Sequence, residues 1–246
     1  MQLVRSPDDL AEFGFPWLPT EDDLPCDDGE PMETQRHVMQ MFLLIETLRS
    51  AWADRSDVFI GGNMFLYFSV EQVRGRDFRG PDFFVALDVE RRERKSWVVW
   101  QEGKGPDVII ELLSESTAAV DKGEKKQVYQ DTLAVPEYFW YDPFSGELAG
   151  FSLRDSVYEP IEPDIAGRLP SRRLGLSLVR WPGQYANIDA TWLRWATPDG
   201  TLLPTEAEQI ARERGRAEQA ERRLAEVEAR LARLEARLGS LPEDQA

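Results

Sequence analysis

The 246-residue chain predicts an α/β fold, with helices laid over a β-sheet and a coiled-coil helix at the C-terminal end. Three observations carry this. Short apolar runs rich in β-branched and aromatic residues, PDFFVAL, PDVIIELL and EYFWYD, read as strands. The last two are separated by about 20 residues with helical character, which makes a strand–helix–strand step. Finally, residues 205–239 lack proline and alternate Arg with Glu around a leucine seam.

The elements follow in order. Residues 1–31, rich in Pro and Asp and punctuated by Phe13, Phe15 and Trp17, read as an irregular N-terminal arm. From Met32 to about Trp52, Met39, Phe42, Ile45, Leu48 and Trp52 recur at three- and four-residue steps and define one apolar helix face, expected to cover the sheet. DVFIGGNMFLYFS at 57–69 predicts two short strands or one bulged strand around Gly-Gly-Asn. A further strand begins at Pro81. Segment 88–106 reads as a hairpin or an excursion beside the sheet, and Asp107–Leu113 as the next strand. Hydroxyls at 114–117 offer N-caps for a helix from about Thr117 to Thr132, despite Gly123. Glu137–Asp142 returns as a strand. Gly146 opens a hairpin, ELAGFSL and VYEPIE, turning at Arg154-Asp155-Ser156. Beyond it the body is expected to fade into a Pro/Gly-rich region ending near Pro204, so the main domain spans 32–204.

In the tail, Leu224, Val227, Leu231, Leu234 and Leu238 step by three and four residues, an a/d seam of little more than two heptads. A surface helix docked on its own domain would show a similar stripe. The almost wholly charged remaining faces favour pairing with a second copy, hence a homodimer. Residues 240–246 read as a flexible tail. Residues 205–246 carry ten acidic and eight basic side chains, leaving about −14 of the net −16 on the body.

That acidity argues against a broad nucleic-acid-coating surface. It leaves room for a local basic strip, and all five lysines, Lys95, Lys104, Lys122, Lys125 and Lys126, lie within the stretch from Pro81 to Pro143 that carries these strands and their connections. With one cysteine, Cys26, and one histidine, His37, an internal disulfide and the usual Cys/His zinc sites are excluded. Any metal must be held by oxygen, which suits Mg2+ or Mn2+. No apolar run approaches a membrane span, and the N-terminal residues lack a signal core, so a soluble, cytoplasmic protein is expected.

The chemistry concentrates in three residues. Glu111 is a carboxylate inside an apolar strand, where it must face a cleft, pair, or bind a cation. Asp82 follows Pro81 at the start of the preceding strand, and Lys125 lies on the following helix in one stripe with Asp121 and Tyr129. Phosphodiester hydrolysis needs such parts: a divalent cation on carboxylates to neutralise phosphate and generate hydroxide, and a positive group near the attacking water.

PDFFVAL (81–87), PDVIIELLSEST (106–117), DKGEKKQVY (121–129), VPEYFWYDP (135–143) and the earlier GEPMETQRHVMQ resemble, in this order, the Uma2-like (DUF820) group of the PD-(D/E)XK nucleases. The resemblance spans about Gly29 to Leu178. It implies a restriction-endonuclease-like mixed β-sheet core flanked by helices, with Asp82 and Glu111 as metal ligands and Lys125 as the active lysine. One departure from the superfamily pattern is Leu113, which stands two residues after Glu111 where a strand lysine is expected; GEK at 123–125 matches relocation of that lysine to the helix. Lys122 and Lys126 remain substitutes.

Accessory roles each have a plainer rival. Tyr129 can hold the lysine stem or bond the site. Asp107 can join the carboxylates or serve as a strand-start turn residue, and Glu33 can add a third carboxylate or complement a helix dipole. His37 reads as a partly buried polar group, and Trp97 and Trp100 as core or interface rather than base-stacking groups. Two functions compete: a Mg2+-dependent endonuclease acting on DNA, and a catalytically weak nuclease-fold interaction protein that assembles through its coiled coil.

Overall fold

The computed structural model describes residues 19–24, 34–69, 72, 80–114 and 117–239. They divide into two compact units, one ending at Leu203 and the other starting at Pro204.

In the first unit a helix, α1 (Gln35–Ala51), precedes two short strands, β1 (Val58–Gly61) and β2 (Leu66–Tyr67). β3 (Phe83–Leu87), β4 (Trp97–Val98) and a single helical turn, α2 (Val99–Glu102), lead to β5 (Val108–Leu112). Helix α3, residues 118–131, contains a π-helical turn at Asp121–Lys125, and β6 (Glu137–Tyr141), β7 (Leu148–Arg154) and β8 (Val157–Pro160) follow. Five of these strands join β1 in the order β1-β3-β5-β6-β7-β8. Only β5 and β6 are parallel neighbours, joined by α3 as the strand–helix–strand pattern requires. β1–β3, β3–β5, β6–β7 and β7–β8 are antiparallel, so the sheet is mixed.

Period-two alternation divides the apolar residues between two faces. Phe83, Val85, Ile110 and Phe139 face α1, packing with Met41, Leu44 and Leu48. Phe84, Ala86, Ile109, Leu113, Tyr138 and Trp140 belong to the other side, with Tyr129 of α3 and Trp97. The 88–106 segment is an excursion in which β4 pairs in parallel with β2 as a separate two-stranded sheet.

Two expectations need correction. The predicted apolar face of α1 is rotated: Phe42 is 46% exposed, whereas His37, Gln40, Met41, Leu43, Leu44, Thr47 and Leu48 are buried. The region expected to fade into loops instead builds a second sheet, β9 (Leu169–Ser171), β10 (Leu176–Tyr185) and β11 (Ile188–Ala196), in the order β11-β10-β9. Pro182 and Gly183 made β10 read as a loop. Proline is tolerated there because β9 pairs only with Leu176–Leu178, which leaves one side of β10 without a partner at Pro182. Ala186 and Asn187, both at positive φ, close the hairpin.

The two deviations are linked. Gln40 donates to the Leu193 carbonyl and accepts from its amide, both at 2.8 Å, so a polar residue on α1 satisfies the edge of β11. A second polar staple is Glu137, which accepts from Ser171 Oγ and from the amides of Arg172 and Arg173 and ties β6 to the β9 turn.

The second unit begins with a capping box, Glu208 accepting from the Thr205 amide and Thr205 Oγ1 from that of Glu208. It starts α4 (Glu206–Gly239). Leu224, Val227, Leu231 and Leu234 are 47–63% exposed on it, while Leu238 lies outside the described side chains.

Replacing Gln40 by Leu keeps the volume and strands both backbone groups of Leu193. A loss of about 2–4 kcal/mol in denaturant-measured stability is expected, and a change below ~0.5 kcal/mol would show that this edge finds other partners.

Candidate active site

The register decides which carboxylates meet. Phe83 is opposite Ile110 in the antiparallel β3–β5 pair, so one step further Asp82 stands opposite Glu111 on the face covered by α3. A carboxylate oxygen of Glu111 lies 3.4 Å from the Asp82 amide, and Asp82 Oδ2 accepts from the Leu112 amide at 2.7 Å. The approach needs a bare backbone beside it. A Cβ on Gly62 would sit 2.0 Å from the Asp82 carbonyl oxygen, and the Asn63 amide donates to the Pro81 carbonyl. The Gly-Gly-Asn interruption thus cradles the start of β3.

Glu111 is fully buried. Tyr129 donates its hydroxyl to Glu111 Oε1 at 2.7 Å, and Lys125 Nζ lies 3.3 Å from Oε2. Asp121, 1% exposed, holds the same ammonium at 2.8 Å. Asp121 and Lys125 begin and end the π-helical turn, a rare geometry that occurs mostly as single turns inside α-helices and frequently at functional sites. The spacing placed Asp121 on the lysine's stripe, but an i,i+4 acid–base pair on a helix is most often a solvated surface pair, so its burial in the site was not legible.

Burial pushes the Glu111 carboxyl well above the usual range; Lys125 opposes the rise, while Asp82 and Asp121 add to it. Asp82 is also raised by burial, against the Leu112 amide and Lys125. Burial works against the Lys125 ammonium, but Glu111, Asp121 and Asp82 outweigh it and hold it above its ordinary value. Tyr129 is raised well above the normal phenol range, first by burial and then by Glu111, and stays a neutral donor.

The remaining candidates do not join this group. Asp107 shares the face of Glu111 but lies four residues away, at the far end of β5, where it accepts from the Leu87 amide and pairs with Lys104 at 2.6 Å and with Arg173. Burial opposes its ionisation, and these partners together overcome that and hold its carboxyl below the usual range. Lys122 pairs with Glu147 and lies over the Trp140 ring, and Lys126 lies 3.4 Å from the Phe151 ring centroid. Glu33 lies outside the described residues. His37 is buried and bonded to Thr34 and the Leu113 carbonyl; Trp97 is fully buried, and Trp100 donates to the Pro19 carbonyl.

Among the described residues no cluster of three or more His, Cys, Asp or Glu side chains has metal-site geometry. Two converging carboxylates nevertheless fit Mg2+, which keeps several waters and commonly takes one or two carboxylates plus substrate phosphate oxygens. No helix among the described residues is long and apolar enough to cross a membrane.

A solved structure titled a "putative nuclease belonging to DUF820", from Anabaena variabilis ATCC 29413, is similar at 18% identity over 62% of this chain and 90% of that one, with a TM-score of 0.42. No curated protein matches. Residues 12–182 match Uma2, described as "Putative restriction endonuclease", and over most of its length the chain therefore belongs to the Uma2 family of restriction-endonuclease type.

Proposed function

We propose that the protein is a Mg2+-dependent endonuclease that hydrolyses phosphodiester bonds of DNA. The observation that carries this is the convergence of Asp82, Glu111 and Lys125 in a buried site that no structural demand of the sheet explains. Asp82 and Glu111 would hold the cation, which when bound neutralises phosphate charge and lowers the pKa of its water. Lys125, cationic at neutral pH, cannot serve as a general base. Its role is to donate a hydrogen bond to the attacking water or to the developing charge on phosphate. Asp121 and Tyr129 act through others: one orients the ammonium, the other fixes the Glu111 carboxyl.

We further propose that α4 pairs with a second copy through Leu224, Val227, Leu231 and Leu234. Its helix gains little from propensity alone, and its exposed apolar stripe is unusual on so charged a surface. Such a dimer would set two sites in fixed relation, which suits cutting both strands of a duplex. Net charge favours the rival reading, in which the fold serves only assembly.

Cleavage assays separate the two. Lys125→Ala should reduce Mg2+-dependent DNA cleavage about 100- to 1,000-fold, and Lys126→Ala should retain most of it. Equal losses would contradict the lysine assignment, and a wild-type chain without metal-dependent cleavage would support the assembly reading.

Sedimentation of the full chain should give a dimer at micromolar concentration, and a chain ending at Pro204 should give a monomer. Dimerisation that survives truncation would move the interface to the body.

The metal-free protein should lose stability as pH rises. Raised folded-state pKa values mean that the native state binds more protons than the unfolded chain, so this contribution is complete below about pH 4. It is lost as pH climbs through about 6 for Asp82 and about 8 for Glu111. Thermal melts should therefore show Mn2+ stabilising more at pH 8 than at pH 5, with Glu111→Gln flattening the difference. Equal metal shifts at both pH values would refute the shared site.

A further inference from the structure

Phe144 leaves 63% of its surface in solvent on a turn that does not need its ring. Asp142 Oδ1 accepts from the amides of Phe144 and Ser145, its Oδ2 from Ser145 Oγ, and its carbonyl from Gly146, whose φ is 75°. Polar bonds thus fix the turn, and the phenyl ring is held out by it. Arg36 lies alongside: its guanidinium is 5.5 Å from the Phe144 ring and 5.4 Å from that of Trp192, and it donates to the Pro143 carbonyl. Among the described residues no carboxylate pairs with Arg36, in a chain of net charge −16. The His37 ring lies tilted against that of Phe144, with centroids 5.8 Å apart.

The location joins this pair to the carboxylates. Trp140 is the β6 partner of Glu111, so Phe144 follows four residues beyond, at most about 14 Å along extended chain. His37 Nε2 meets the Leu113 carbonyl, two residues past Glu111, at 3.0 Å. The ring and the guanidinium therefore stand at the strand ends that carry the site.

We propose that Phe144 and Arg36 form a binding platform for the substrate strand, Phe144 stacking on a nucleobase that flanks the phosphate at Asp82–Glu111 and Arg36 contacting the neighbouring phosphate. The inference rests on the nuclease reading and names how the substrate is gripped. Base stacking tolerates any sequence because every base has a π-face, and a positive group beside the ring offsets the repulsion that this acidic body exerts on a nucleic-acid backbone. An unpaired or unstacked base fits an exposed ring better than one buried in a duplex.

The test uses the full chain with Ca2+ in place of Mg2+, a labelled single-stranded DNA oligomer, and an oligomer of equal length made of abasic units, which keeps the charge and loses the bases. Phe144→Ala should weaken binding of the base-bearing oligomer roughly tenfold, Phe144→Trp should restore it, and neither should alter affinity for the abasic oligomer. Arg36→Gln should weaken both. Wild-type affinity of Phe144→Ala for the base-bearing oligomer, or an equal loss on the abasic one, overturns the platform alone. A wild-type chain that binds neither oligomer overturns the platform, and only one that also fails to cleave duplex DNA with Mg2+ overturns the nuclease reading.

Discussion

Glu111 is the constraint on which the architecture of the site depends. A carboxylate with no solvent exposure in the middle of a sheet carries a desolvation cost that must be met by hydrogen bonds, an opposite charge or a proton. The surrounding elements read as answers to that demand. Tyr129 and Lys125 come from successive turns of α3, the Asp82 amide comes from the antiparallel register of β3, and Gly62 lets that strand start close by. Burial raises both carboxyls, so each keeps its proton to a higher pH than an exposed carboxyl would.

Charge shows the same division between global and local. The body carries about −14 of the net charge, and within it stand the lysines of α3 and Arg36 at the start of α1. Each is set differently. Lys122 and Lys126 lie over aromatic rings, Lys125 is drawn inward by Asp121, and Arg36 stands without a carboxylate partner among the described residues.

What the sequence revealed depended on where the determining forces lie. β3, β5, α3 and β6 were legible because apolar runs, cap hydroxyls and turn residues act over a few positions. The face of α1 was misread because its orientation is set by Gln40, which serves the edge of a strand 153 residues away. β10 was missed because Pro182 and Gly183 forbid an interior strand but not one whose neighbour has already ended. Glu111 stood out as a charge inside an apolar strand and its pairing with Asp82 was implied by the family resemblance, whereas the β3–β5 register that sets them opposite each other was not legible. Nor was the place of Asp121, since only the π-helical turn and its burial distinguish it from a surface ion pair.

The absence of a lysine two residues after Glu111 has a structural reason in β5. The position two residues after Glu111, on the same face, is filled by Leu113, 2% exposed within the aromatic cluster that includes Tyr129 and Tyr138. A lysine there would have to bury its stem and ammonium among these rings. Carried on α3 instead, the ammonium enters from the side, and the strand keeps an apolar residue that secures the helix. The arrangement makes the ammonium's position a property of helix geometry rather than of strand alternation. Holding it then falls to the π-helical turn, whose first residue, Asp121, pairs with the ammonium of its last, Lys125, while that ammonium also reaches Glu111. The two carboxylates lie on two strands and the ammonium on a helix, so the halves of the cluster rest on separate elements and are joined through Glu111.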